Sequence, residues 1–134
     1  MTQVKAQLNG LRIAPRKVRL LVDLIKRKNV QVALDQLTHA PKRSSEHLVK
    51  LLRSAVANAE NTFKLDPETL VIKDMWVDEG MKLKRFVPKG FGRANPIEKK
   101  TSRVCVVLEG GEAKPKKATT KKKASEKAAT DSNL

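Results

Sequence analysis

Val4, Ala6 and Leu8 alternate with polar neighbours, the two-residue period of a half-buried strand, which ends near Asn9–Gly10. Pro15 then suits the first position of a helix, where its missing N–H costs nothing. In PRKVRLLVDLIKRK, Val18, Leu21, Leu24 and Ile25 fall on one helical stripe, while Arg16, Lys17, Arg19 and Lys26 fall largely off it. A shorter helix follows Asn29, with Val30, Ala33, Leu34 and Leu37 inward, and His39-Ala40-Pro41 breaks it. A third helix, from about Lys42 to Asn61, carries Leu48, Leu51, Leu52, Ala55, Val56 and Ala59 at spacings of three and four. Its alanines at 55, 57 and 59 would let another element approach closely. The loop Phe63–Glu68, with Asp66-Pro67 inside it, closes the helical half.

The remainder alternates as strands do. Leu70 and Ile72 keep the period of two, and Met75 and Val77 resume it after a step of three, so a bulge is predicted near Lys73–Asp74. On the return, Val104, Val106 and Leu108 alternate with Arg103, Cys105 and Val107. The arms Leu70–Lys84 and Ala94–Leu108, if extended, would each reach about 50 Å at roughly 3.3 Å per residue. A globular body of about 100 residues has a radius of gyration of only about 13 Å. A hairpin spanning about 70–108 must therefore project. Between Asp78 and Arg103 most side chains are polar or charged on both faces, so the ribbon cannot be buried in a protein core. An isolated two-stranded hairpin is marginal in water, so something outside the chain should hold it.

The tip suggests what that is. KRFVPKGFGRANP (Lys84–Pro96) contains Lys84, Arg85, Lys89 and Arg93 and no acid. Phosphates suit such a ribbon, and Phe86 and Phe91 can pack on bases or sugars. Gly90 and Gly92 are spaced G-x-G, but Arg93-Ala94-Asn95-Pro96 follows rather than a helix, so they supply turn geometry and not a phosphate loop.

Composition widens the point to the whole chain. Lys and Arg number 29 against 14 acids in 134 residues, a net charge of +15 with pI near 10.3. That balance calls for a polyanion, nucleic acid before an anionic membrane surface. No apolar run approaches the roughly 18 residues that span a bilayer, and MTQVKAQLNG has neither a secretory core nor a transit-peptide pattern, so a cytosolic protein is expected. Residues 113–134 carry seven lysines, two acids and a single large apolar side chain, Leu134, and read as a disordered tail. The body, residues 1–112, keeps +10 without it.

Catalytic and metal chemistry find little support. Cys105 is the only cysteine, which rules out an intrachain disulfide, and in a strand it reads as a small apolar filler. His39 and His47, the only histidines, read as ordinary surface residues, and no metal or cofactor is implied. Asp78 and Glu79 are adjacent on a strand and so point to opposite faces; they read as partners for hairpin cations rather than a carboxylate pair. Trp76 reads as packing beside Val77, with stacking on a base as the alternative. Asp23 is expected to pair with Arg19, Arg27 or RNA. No nucleophile, base and orienting group assemble, so no enzyme is expected.

These residues resemble a known family. APRKVRLLVDLIKRK (Ala14–Lys28), LLRSAVANAEN (Leu51–Asn61), WVDEGMKLKRFVPKGFGRANPI (Trp76–Ile97) and KKTSRVCVVL (Lys99–Leu108) are similar, in order and spacing, to bacterial large-subunit ribosomal protein twenty-two. The resemblance covers nearly all of residues 4–108. It implies an α+β fold, three helices packed on a small three-stranded antiparallel sheet with a long protruding β-hairpin. It further implies a body on the subunit surface near the opening of the peptide exit tunnel, and a hairpin threading among ribosomal RNA domains to the tunnel wall. The expected partners are large-subunit ribosomal RNA, neighbouring ribosomal proteins and, near the tip, the nascent peptide, with the protein a monomer within the ribosome of the cytoplasm.

Carried over residue by residue, the implied RNA-binding cations are Lys82, Lys84, Arg85, Lys89 and Arg93 on the hairpin and Lys99, Lys100 and Arg103 on its returning arm. Arg12, Arg16, Lys17 and Arg19 match the basic start of the first helix, and Phe86, Val87, Pro88, Gly90, Phe91 and Gly92 form the tip. Two departures stand out. Ala14 replaces a Ser that usually caps the first helix, a loss of about 1 kcal/mol, and Phe91 stands where the family often has a small or basic residue. A structural RNA-binding protein competes with a general architectural protein using basic arms and an intercalating Phe, which would bind DNA and RNA alike.

Overall fold

A computed structural model describes residues 2–110. Its elements in chain order are β1 (Thr2–Leu11), α1 (Pro15–Ile25), α2 (Val30–His39), α3 (Arg43–Phe63), a 3-10 turn (Pro67–Thr69), β2 (Val71–Glu79), β3 (Leu83–Pro88), β4 (Ala94–Lys99) and β5 (Ser102–Gly110). The architecture is α+β: β1, β5 and β2 form one antiparallel sheet in that order, and β3 pairs with β4 in a separate two-stranded ribbon. The lysine-rich tail lies outside the described residues.

One face of the three-stranded sheet carries the core. Val4 and Ala6 from β1, Val104, Val106 and Leu108 from β5, and Ile72, Met75 and Val77 from β2 are buried in one cluster with the helices. The helical stripe on α1 differs from the periodicity reading in one place. Val22, not Leu24, is buried with Val18, Leu21 and Ile25, and Leu24 is largely exposed. The reason is angular: 18, 21, 22 and 25 follow the i, i+3, i+4, i+7 spacing of one helix face, and 24 lies off it. Leu34 and Val56 are half-buried at the margins of their stripes. Each fully buried Leu, Ile or Val contributes about 1.5–3 kcal/mol by leaving water, so the core and not helix propensity holds this body together.

The ends of the elements are fixed locally. Asn29 caps α2 by accepting the Gln31 N–H at 3.0 Å. α3 runs two residues past the expected Asn61 because Lys64, left-handed at φ 52, closes it: the Leu65 amide donates to the Ala59 carbonyl at 3.1 Å and buries Leu65 beneath. The turn between α1 and α2 is clipped to the sheet, where Val30 N–H donates to Leu70 O and Ile72 N–H to Lys28 O, at 3.1 and 2.9 Å.

Three irregularities shape the strands. β1 extends to Leu11, and its register against β5 slips between Leu8 and Leu11, with Gly10 at φ 70 inside the slip. β2 slips against β5 between Ile72 and Asp74, where the bulge was expected. The third lies at the neck of the hairpin. Glu79 opposes Ser102 and Leu83 opposes Lys99, so Gly80, Met81 and Lys82 face only Lys100 and Thr101. The expected continuous arms are therefore interrupted there, and the surplus residue kinks and twists the ribbon away from the body sheet.

Candidate nucleic-acid interface

The neck is a small polar joint. Gly80 N–H donates to Thr101 O at 2.8 Å, and the Thr101 hydroxyl donates to Met81 O at 2.6 Å. Ser102, fully buried, donates its hydroxyl to the Ile13 carbonyl, tying the base of the hairpin to the loop before α1. A Cβ on Gly80 would fall 2.5 Å from Thr101 Oγ1, so glycine is required by close approach and not by backbone angle.

Beyond the neck the ribbon stands apart. β3 and β4 touch each other and share no extensive contact with any other element. All of β4 is exposed, and in β3 only Leu83 and Val87 are half-buried. Among residues 82–100 there is a single acid, Glu98. The cations separate into two groups. Lys82 reaches Glu98 at 3.4 Å and Glu79 at 3.9 Å, and Lys100 reaches Glu79 at 3.6 Å, so both brace the neck. Glu79 thus takes the role expected of it. Lys84, Lys89, Arg93 and Lys99 have no intrachain ion pair or side-chain hydrogen bond among the described residues. Arg85 donates only to its neighbour's carbonyl, Lys84 O at 2.7 Å.

The tip closes over Lys89–Arg93, with Lys89 N–H donating to Arg93 O at 2.7 Å. Phe91 and Gly92 have φ of 58 and 66, the left-handed pair that a tight hairpin turn requires. Glycine accepts this freely; for phenylalanine it costs roughly 1–2 kcal/mol. The ring is fully exposed, so no contact among the described residues offsets that cost, and Phe86 is also mostly exposed. Val87, Pro88 and Gly90 complete the tip.

On the body, Arg12, Arg16 and Lys17 are exposed and make no side-chain hydrogen bond or ion pair among the described residues. Arg19 differs. Its Nε and Nη2 both donate to the Val77 carbonyl, at 3.3 and 3.0 Å, fastening α1 to β2. The periodicity put Arg19 with the free helix face; the tertiary contact gives it a structural task. Arg103 donates to Gln7 Oε1 at 3.2 Å across the sheet's outer face. On that face Trp76 is half-buried with the Lys5 ammonium 5.5 Å from its ring centre, which favours packing. Cys105, between Gln7 and Trp76 in register, is buried and free. Asp23 makes no ion pair among the described residues, so of its expected partners Arg19 and Arg27 are not met.

The described chain thus joins a bulged three-stranded sheet with three helices on one face to a projecting cationic ribbon. The family model for ribosomal protein L22p/L17e matches residues 6–109. The chain belongs to that family. It is also 49% identical over 108 residues to the large ribosomal subunit protein uL22 of Desulfitobacterium hafniense (strain Y51), covering 81% of this chain and 95% of the relative. The family is structural and not enzymatic. Sequence reasoning missed the hydrogen-bonded joint of Gly80, Thr101 and Ser102, the Arg19 tie and the basic residues Lys42 and Arg43, which the fold brings beside Arg12. Only the neck left a trace in the sequence, a glycine set between Glu79 and a Thr-Ser pair on the opposite arm.

Proposed function

We propose that the chain is a structural constituent of the large ribosomal subunit that binds large-subunit ribosomal RNA, bridges its domains during assembly and lines the peptide exit tunnel with its hairpin tip. The observation that carries this is the ribbon: a two-stranded element that shares no extensive contact with any other described element and presents Lys84, Lys89, Arg93 and Lys99 unpaired among the described residues. Such a ribbon gains order when phosphates neutralise it, and neutralisation lets RNA helices from different domains approach. Residues 1–112 act as the RNA-binding unit, with Arg12, Arg16 and Lys17 extending the surface onto the body. Arg103 and the neck lysines Lys82 and Lys100 can still reach phosphate, since each pair they make is solvent-exposed and weak. Phe86 and Phe91 face RNA bases or the nascent peptide, and neighbouring ribosomal proteins flank the body, with one copy per ribosome in the cytoplasm.

Deleting Met81–Ala94 tests the reading. The body should keep its helical circular dichroism and cooperative unfolding, while affinity for large-subunit RNA falls and its margin over duplex DNA at matched salt shrinks. Equal affinity of the intact chain for DNA and RNA would favour a general architectural protein instead.

A further inference from the structure

We propose that the cleft where α1 and α3 begin is a binding site for one phosphate group of an RNA backbone, a proposal that rests on the RNA-binding reading above. The cleft has a volume of about 460 Å³, and its charged lining is Arg12, Lys17, Lys42 and Arg43, with no acid. The nearest acid of α3, Glu46, is held by Lys50 at 2.9 Å and does not line the cleft. Both helices enter it uncapped: Ala14 and Lys42 occupy the cap positions, and neither side chain accepts a backbone N–H. The Arg16, Arg43 and Ser44 amides consequently have no acceptor among the described residues, whereas Lys17 and Ser45 amides bond back to the Ala14 and Lys42 carbonyls. Two positive helix ends thus face one space.

Ser44 supplies an observation of a different kind. It is only 4% exposed, it lines the cleft, and its hydroxyl has no hydrogen-bond partner among the described residues. No side-chain N or O atom among the described residues is both sealed from solvent and unpaired, so the Ser44 hydroxyl opens onto the cleft and is free to donate to a ligand seated there. An anion seated between the helix ends would accept from that hydroxyl, from the free amides and from the surrounding cations. A phosphodiester fits this donor set better than a carboxylate does, because its oxygens point in several directions at once. A second shallow cleft, lined by Gly10 and His47 along the β1 bulge, shares Arg12, Ile13 and Arg43 with it and offers the flanking nucleotides a course over the body.

The test uses the full chain and two variants that change no packed side chain by more than one atom or lie on the surface, Ser44→Ala and Arg43→Gln. Inorganic phosphate is titrated against sodium chloride of equal ionic strength while backbone amide shifts are followed. Saturable, phosphate-specific shifts at Arg16, Arg43 and Ser44 are expected, with affinity about tenfold weaker in either variant, as for loss of a hydrogen bond to a charged group. In parallel, Lys42→Gln with Arg43→Gln should lower the salt slope of binding to large-subunit RNA by about one phosphate. Shifts that chloride reproduces, or an unchanged slope alongside intact RNA binding, overturn the site and leave the function standing. Failure of the unaltered chain to bind large-subunit RNA overturns the function itself.

Discussion

Asp74 shows how much one side chain can do at an irregular position. It stands just after the surplus residue of the β2 bulge, where the ladder is broken. Its carboxylate accepts from Lys26 Nζ at 2.7 Å and from the Met75 N–H at 2.9 Å, so it joins the end of α1 to the bulge and supplies the strand with an acceptor. The Lys26 hydrogen bond, with the Met75 amide next, holds its pKa below the ordinary 3.8. A carboxylate depressed in the folded state stabilises above its unfolded pKa, and the contribution fades as pH falls through the folded value. Asp74→Asn should therefore be less stable than the parent at neutral pH, with the two melting curves converging as acid protonates the parent's carboxylate. A gap in Tm that persists unchanged into strong acid would assign the effect to packing. Phe91 is the opposite case: the sequence marks it as an exposed aromatic, but only backbone geometry reveals the left-handed φ of 58 at which it is held.

At the scale of elements, the neck decides whether the ribbon is a limb or a loose loop. Gly80, Thr101 and Ser102 form a joint of backbone and hydroxyl hydrogen bonds, braced outside by Glu79 with Lys82 and Lys100. The braces are exposed and individually weak, so the hydrogen-bonded joint sets the geometry. Gly80→Ala would drive a methyl into Thr101 Oγ1 and should destabilise by about 1–3 kcal/mol, the range for an overpacked site. Pairing it with Thr101→Ala should recover part of that loss, because the clashing oxygen is gone. Chemical denaturation of both variants checks this, and equal losses in the single and double variants would place the strain elsewhere. The α1–β2 seam behaves in the same way: Arg19 and Asp74 each tie α1 or its end to β2, so the helix that carries Arg12, Arg16 and Lys17 outward is firmly seated.

The whole molecule divides into a body that closes its own core and a ribbon that does not. Among the described residues, all of the buried hydrophobic ones belong to the body, and none lies between Met81 and Lys100. Local stability follows buried contact, so the two parts should open independently. In the free protein, amides of Leu48–Ala59 are expected to exchange slowly and those of β3 and β4 rapidly, with the ribbon gaining protection only when large-subunit RNA is added. Slow exchange throughout the ribbon of the free chain would mean that it is ordered before assembly.

The amino-acid order alone determined the class of this protein. Periodicities of two and of three-to-four located the three helices and the strands of the body sheet, the step of three from Ile72 to Met75 announced the bulge, and an acid-free tip between polar arms pointed to a projecting ribbon and a polyanionic partner. Those features are local or additive, and a chain displays them without folding. Tertiary structure alone decided which cations remain free. Arg19 meets Val77, Lys100 meets Glu79, and Arg43 comes beside Arg12, across separations of 58, 21 and 31 positions. No pattern along a chain encodes such meetings, because they depend on how helices seat on a sheet whose register slips twice.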